Sequence, residues 1–362
     1  MKPSVLATSA ALFGRLALSL PTELQKRANI DTTVLQFALT LEHLENVFYK
    51  GALTKFSQRD FMKAGYSADY YNNLKYIAHD EEQHVELLTS ALQAAGVMPV
   101  AACTYSFPYT DVRSFITLSS VLEGVGTSAY LGGAPLITDK GYLAVAGSIL
   151  VTEAIHTSMQ RGAVFEVPMA NPYGTALDPT SVYTLAAAFI TSCPTSNPPL
   201  PFTAFPSLAL DATTCTCEEP DCSSPSRITR RSWFGHQWAS KWSGSKSNTC
   251  KPAIAGSTVT FTAPTSIPAG SYLTFVNGLS VTSAQGSIKG SQISAPVPSA
   301  DEGQTYVFVT SSDVEGSLKD AAVLFGPAIL EGEMQRRSMW DRWSTNAQVV
   351  NPQPPSIDFA EA

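Results

Sequence analysis

Four long segments of the chain repeat apolar residues at helical spacing. From Thr32, the positions Val34, Leu35, Phe37, Ala38, Leu41, Leu44, Val47 and Phe48 mark one apolar face, with Asp31 placed to cap it. A second helix is predicted over residues 70–95, capped by Ser67 or Asp69 and stopped by Gly96 and Pro99. A third begins after Asp111, carries Phe115, Ile116, Leu118, Val121 and Leu122, and closes at Gly132, Gly133 and Pro135. A fourth is predicted over residues 140–165, ahead of Pro168. Residues 55–65 read as a polar loop. A short fifth helix over residues 181–191 precedes Cys193-Pro194 and a proline-rich linker at 198–201. From residue 257 the period shortens. Segments 257–263, 271–276, 305–310 and 321–325 are β-branched or aromatic, with Pro, Gly and Ser between them. They predict a small antiparallel β region, a half-sandwich packed on the bundle. Residues 331–362, with Pro352, Pro354 and Pro355, read as a polar tail.

The charged residues inside these apolar faces change the picture. Asp80-Glu81-Glu82-Gln83-His84 and Glu153-Ala154-Ile155-His156 each contain Glu-x-x-His, two copies among only five histidines. Residues three apart on a helix share a face, so each copy aims a carboxylate and an imidazole at one point. Glu42 lies on the first helix with Tyr49 seven residues on; Glu123 lies on the third with Tyr130 at the same interval. Glu45 is a neighbouring acidic candidate. The order Glu, Glu-x-x-His, Glu, Glu-x-x-His is a duplicated helical hairpin. A helical glutamate is ordinarily solvated. Glu123, however, stands among Val121, Leu122, Gly124 and Val125, and Glu42 between Leu41 and Leu44. Burying such a carboxylate without a partner costs several kcal/mol.

Four carboxylates and two imidazoles from four helices make the ligand set of a dinuclear metal site. Two divalent metal ions neutralise the four carboxylates; without them, some would have to take up protons. Glu81 and Glu153 fall in bridging positions, with His84 and His156 beside them, and Glu42 and Glu123 are terminal. Tyr49 and Tyr130 are placed to hydrogen-bond the ligands from behind. Oxygen and nitrogen donors without thiolate suit iron or manganese, and zinc also fits.

Composition narrows the class further. A chain of 362 residues, 44% hydrophobic and 15% charged, is globular, and a net charge of −7 without a basic run excludes nucleic acid as a partner. Six cysteines suit an oxidising compartment. Lys2 followed by a mostly apolar stretch at 5–20, broken by Arg15, reads as a secretory signal and not as a stable membrane anchor. Lys26-Arg27 then marks a propeptide, so residues 1–27 are expected to be removed and the protein to be secreted or held at the cell surface. The alternative is a cytosolic amphipathic helix start. Cys103, in the loop after the second helix, and Cys193 are the two cysteines near the bundle, placed to pair and hold the linker down. Residues 211–251 differ from their surroundings, with Cys215, Cys217, Cys222, Cys250, Trp233, Trp238 and Trp242. A metal site, a disulfide-pinned insertion and a stretch foreign to the mature protein all fit; export favours the second.

The chain resembles the ferritin-like superfamily. The resemblance is carried by residues 41–49 (Leu41-Glu42-His43-Leu44-Glu45-Asn46-Val47-Phe48-Tyr49), by His79 to His84, and by Val151 to His156. More narrowly, it resembles a secreted fungal branch related to plant desiccation-related proteins, which includes stress-response and late sexual development proteins. Residues 257–261 and 326–330 resemble that branch too; residues 211–251 depart from it. The resemblance implies a mainly α protein, a ferritin-like four-helix bundle with a short fifth helix followed by a small antiparallel β region. The expected divisions are a bundle over 28–205, a linker or insertion over 206–255 and a β domain over 256–330. The six filled ligand positions point to a metal-dependent protein that oxidises ferrous iron or reacts with dioxygen or peroxide, with metal ions as partners. The alternative is a non-enzymatic structural or protective protein of the cell surface, contacting cell-wall or other secreted components.

Overall fold

A computed structural model describes residues 22–211, 253–299 and 301–333 of the chain. Residues 1–21 of the expected leader, 212–252 with the Cys- and Trp-rich stretch, and 334–362 of the tail lie outside the described residues.

The four amphipathic segments form α1 (Thr22–Lys55), α3 (Ala68–Ala94), α4 (Val112–Gly133) and α5 (Lys140–Ala163), paired as the hairpins α1–α3 and α4–α5. Ser67 and Asp111 cap α3 and α4 by accepting from the backbone N–H groups of Tyr70 and Ser114. The expected cap Asp31 is a correction: α1 starts at Thr22, so Asp31 lies inside it. Its buried carboxylate instead accepts from Thr138 N at 2.6 Å, Thr138 Oγ1 at 2.8 Å and Asp139 N at 3.1 Å. A capping side chain can serve any nearby orphan N–H, and here it ties α1 to the α4–α5 turn. The expected loop at 55–65 contains a short helix, α2 (Gln58–Lys63). Its one buried side chain, Phe61, enters the aromatic cluster of Phe48, Tyr49, Tyr71 and Phe115. The fifth helix, α6 (Pro179–Ala187), ends before the predicted limit, because residues 190–192 leave it to pair as a strand.

That strand, β2 (Ile190–Ser192), runs antiparallel to β1 (Thr104–Tyr105), and the Cys103–Cys193 disulfide closes the pair. The linker after α6 is thereby held to the loop after α3.

The β region is a full sandwich, not the expected half. Its remaining strands are β3 (Ala209–Leu210), β4 (Ala253–Ile254), β5 (Thr258–Thr262), β6 (Tyr272–Asn277), β7 (Ser280–Gln285), β8 (Ser287–Lys289), β9 (Gln292–Pro296), β10 (Gly303–Thr310) and β11 (Val323–Glu333). They form a five-stranded sheet in the order β4-β11-β10-β6-β7 and a four-stranded sheet in the order β3-β5-β9-β8. β7, β8 and β9 escape pattern reading because Ser, Thr, Ala and Gln dominate them. Strand residues alternate faces, so β10 sends Tyr306 and Phe308 into the bundle core and Val307 and Val309 into the sandwich core. The five-stranded sheet is therefore the middle of three layers. Tyr306 fixes it to α4 by donating to Gly124 O at 3.1 Å and Ser128 Oγ at 2.8 Å. Arg161 of α5 donates through both terminal nitrogens to Glu331 of β11, at 3.0 and 2.6 Å. No helix among the described residues is long and apolar enough to cross a membrane.

Candidate metal centre

The four long helices bring Glu42, Glu81, His84, Glu123, Glu153 and His156 to one place in the bundle core, all buried. Helix periodicity alone accounts for the facing. On α3 the buried stripe Leu74, Ile77, Glu81, His84, Leu88 advances by three or four residues, and on α5 Ile149, Glu153, His156 and Gln160 do the same. The acidic groups thus occupy core positions of otherwise apolar faces.

The donor atoms fall into two sets, Glu42, Glu81, His84 and Glu153, and Glu81, Glu123, Glu153 and His156, each within 4.8 Å of one another. Glu81 and Glu153 belong to both sets. Glu42 and Glu123 belong to one each. His84 Nδ1 lies 3.2 Å from Glu42 Oε2, 3.3 Å from Glu81 Oε2 and 3.6 Å from Glu153 Oε1. His156 Nδ1 lies 3.0 Å from Glu81 Oε1 and 3.4 Å from Glu123 Oε2.

Whether these residues suit a metal can be judged from their unmet valence. Glu81 Oε1, Glu123 Oε2, both Glu153 oxygens and His156 Nδ1 are buried without a hydrogen bond. His156 Nδ1 approaches Glu81 closely but lacks hydrogen-bond geometry. Buried polar atoms are ordinarily paired. Five orphans converging on one spot, all on atoms that ligate metals, fit a pair of cations.

The electrostatics agree. Burial pushes Glu45 and Glu153 well above the usual carboxylate range, and the surrounding glutamates add to it. Burial raises Glu81 to about 7, against the pull of His156 and His84. Burial by itself would lower the histidines, yet Glu42 and Glu81 hold His84 up at about 10, and Glu123 and Glu81 hold His156 at about 11. In the absence of metal, protons neutralise the cluster.

Supporting contacts extend beyond the six residues. Tyr130 Oη donates to Glu42 Oε1 at 2.5 Å, and Tyr49 Oη donates to Glu123 Oε1. Gln160 Nε2 donates to Tyr49 Oη at 3.2 Å, and Gln160 Oε1 accepts from Tyr70 Oη at 2.5 Å. The outer nitrogen of His156, Nε2, lies 3.2 Å from Asp80 Oδ2, a carboxylate that orients the ring. The sequence reading did not single out Asp80 or Gln160 for a role. Gln160 could have been found by its helical spacing from His156; Asp80 could not, because its contact crosses from α3 to α5. Glu45, only a neighbouring candidate in sequence, is buried at the edge of the cluster.

Comparison with known proteins agrees with this geometry: residues 30–166 match the ferritin-like domain family. These residues are a ferritin-like domain. Over 183 residues the chain is 30% identical to Protein rds1 of Schizosaccharomyces pombe, a match covering 51% of this chain and 45% of that protein. The chain thus spans less than half the length of that curated relative, and the likeness agrees with a fungal branch of the family. Among solved structures, a conserved hypothetical protein, rv2844, of Mycobacterium tuberculosis matches 41% of this chain and 99% of its own, at 16% identity and a TM-score of 0.34. That likeness is too distant to carry an argument. The ferritin-like domain supplies all six residues of the cluster; the β-sandwich lies outside it.

Proposed function

We propose that the ferritin-like domain holds two divalent metal ions, iron or manganese, and reduces dioxygen or peroxide there. The observation that carries this reading is the set of five buried, unpaired donor atoms converging between Glu81 and Glu153. The metals, once bound, supply electrons and a Lewis-acidic seat for oxygen. The chain's own residues do the rest. Glu42, Glu81, His84 and Glu153 would hold one ion and Glu81, Glu123, Glu153 and His156 the other, with Glu81 and Glu153 common to both sets. Tyr49 and Tyr130 fix the free oxygens of the terminal glutamates, and Asp80 fixes the His156 ring. The apolar helix faces keep bulk water from the cluster.

Secretion belongs to the same proposal, supported by the Cys103–Cys193 disulfide, which suits an oxidising compartment. A role in stress or sexual development rests on the resemblance alone. The test is anaerobic titration of the full chain with ferrous iron or manganese, followed by dioxygen or peroxide. Two ions per chain and consumption of the oxidant are expected. Fewer than one ion per chain at micromolar metal would sink the reading.

A further inference from the structure

The duplicated pattern sets residues 42, 45 and 49 of α1 against 123, 126 and 130 of α4, so Glu45 and Gly126 hold equivalent positions. One half of the domain thus offers a fifth carboxylate where the other offers no side chain. The two positions also meet in space. A methyl group on Gly126 would sit 2.5 Å from Glu153 Oε2 and 2.9 Å from Glu45 Oε1, so both oxygens face the bare backbone there. The other four glutamates each have a histidine nitrogen within 3.6 Å. Glu45 makes no hydrogen bond or ion pair among the described residues, although it is only 5% exposed.

Glu45 and Gly126, both buried, also line a cavity of about 300 Å³. Its walls are apolar: Leu122 and Val125 from α4, Leu185 from α6, and Leu208 and Ile329 from the β region. Glu45 is its sole charged lining residue, and the exposed residues Ala188 and Ser207 lie at its rim. Since α6, the linker and β11 all lie outside the ferritin-like domain, this cavity is built by what the chain adds to that domain. A second cavity, of about 360 Å³, meets the cluster only at Tyr130, whose hydroxyl is already committed to Glu42.

We propose that the cavity lined by Glu45 is a binding site beside the metal centre, and that it takes a small neutral phenol. Apolar walls exclude a hydrated cation, because burying an unpaired charge is costly, so ferrous iron does not enter this way. They favour an apolar body, at roughly 25 cal/mol for each Å² removed from water. Glu45 is the charged group on this lining, and one hydroxyl can hydrogen-bond its carboxyl group. A phenolic hydroxyl is a stronger donor than an aliphatic one, so a phenol suits this carboxylate better than an alcohol does. The proposal rests on the di-metal reading for what lies beside the bound phenol, though not for the binding itself.

The experiment uses 4-fluorophenol as probe, followed by fluorine NMR on the full chain, first metal-free and then loaded with manganese. Saturable binding to the metal-free chain is expected, with strong paramagnetic relaxation of the fluorine once manganese is bound. Leu185→Trp and Ala188→Trp fill the cavity and its rim away from the cluster, and each is expected to weaken binding at least tenfold, on the order of 1.4 kcal/mol, without changing metal stoichiometry. Ala188 is exposed, so its variant keeps the test alive should Leu185→Trp fail to fold. Glu45→Leu is expected to weaken binding by a similar factor. Absence of saturable binding, binding indifferent to both rim variants, or bound probe without manganese-induced relaxation would each overturn the proposal. A chain that binds the probe in this variant-sensitive way but takes up no metal would remove the di-metal reading and leave the cavity assignment standing.

Discussion

Tyr49 of α1 donates its hydroxyl hydrogen to Glu123 of α4, across the bundle, and not to Glu42 on its own helix. Tyr130 returns the arrangement from α4 to Glu42 of α1. Each tyrosine therefore hydrogen-bonds a glutamate of the opposite hairpin, and the two halves of the duplicated domain hold each other's carboxylates. Tyr49→Phe and Tyr130→Phe should each lower metal affinity about tenfold, the lower end of what removing an outer partner of a ligand costs. Competition against a chelator measures it; an unchanged affinity in both variants would remove this role.

The shifted titrations give a pH dependence with a definite sign. Glu81, ordinarily near 4.5, is raised to about 7, and His84 and His156, ordinarily near 6.5, are raised to about 10 and 11. A group raised in the folded state contributes stability fully below its unfolded value and loses it as pH climbs through the folded one. For Glu81 that window is about 4.5 to 7, and for the histidines it runs from about 6.5 to 10 and 11. Chelator-treated protein should therefore melt at progressively lower temperature from pH 5 to pH 9. The same protons must leave before metal binds, so affinity should rise with pH over that interval. Thermal melts and calorimetry in buffers of different ionisation enthalpy check both.

Replacing a shared carboxylate separates stability from binding. Glu153→Gln removes an ionisable group whose two oxygens have no hydrogen bond in the cluster. The metal-free chain should become more stable by about 1 kcal/mol at pH 8, while uptake of the second ion is lost. Metal stoichiometry and chemical denaturation on one preparation give both numbers.

The Arg161–Glu331 pair joins bundle to sandwich with Arg161 buried and Glu331 about a quarter exposed. Arg161→Leu strands a partly buried carboxylate and should cost about 2 kcal/mol, less than a fully buried pair because water reaches Glu331. The loss should be read from denaturant midpoints with an unchanged slope.

The Cys103–Cys193 bond closes a loop spanning 90 residues that contains α4, α5 and α6. Its reduction, or Cys103→Ser with Cys193→Ser, should destabilise the chain by about 3 kcal/mol through the freedom returned to the unfolded state. Comparing melts with and without reductant tests it.

The sequence by itself determined the four helices, their order and the six residues that gather between them. Helical period is local, and a carboxylate three residues from a histidine on an apolar face must point where that face points. The same logic put Tyr49 and Tyr130 near the cluster, but only the packed bundle decided that each serves the opposite hairpin. Asp31 shows the limit most plainly: its type reads as a cap, yet the N–H groups it satisfies lie on the turn before α5. β7, β8 and β9 were invisible because hydroxyl-rich strands carry no apolar alternation, and long-range pairing alone makes them strands. Glu45 and Gly126 were equivalent positions in a duplicated pattern, legible as such. Their meeting beside Glu153, on a cavity lined by helices and the β region together, depends on contacts between segments far apart in the chain, which no local period encodes.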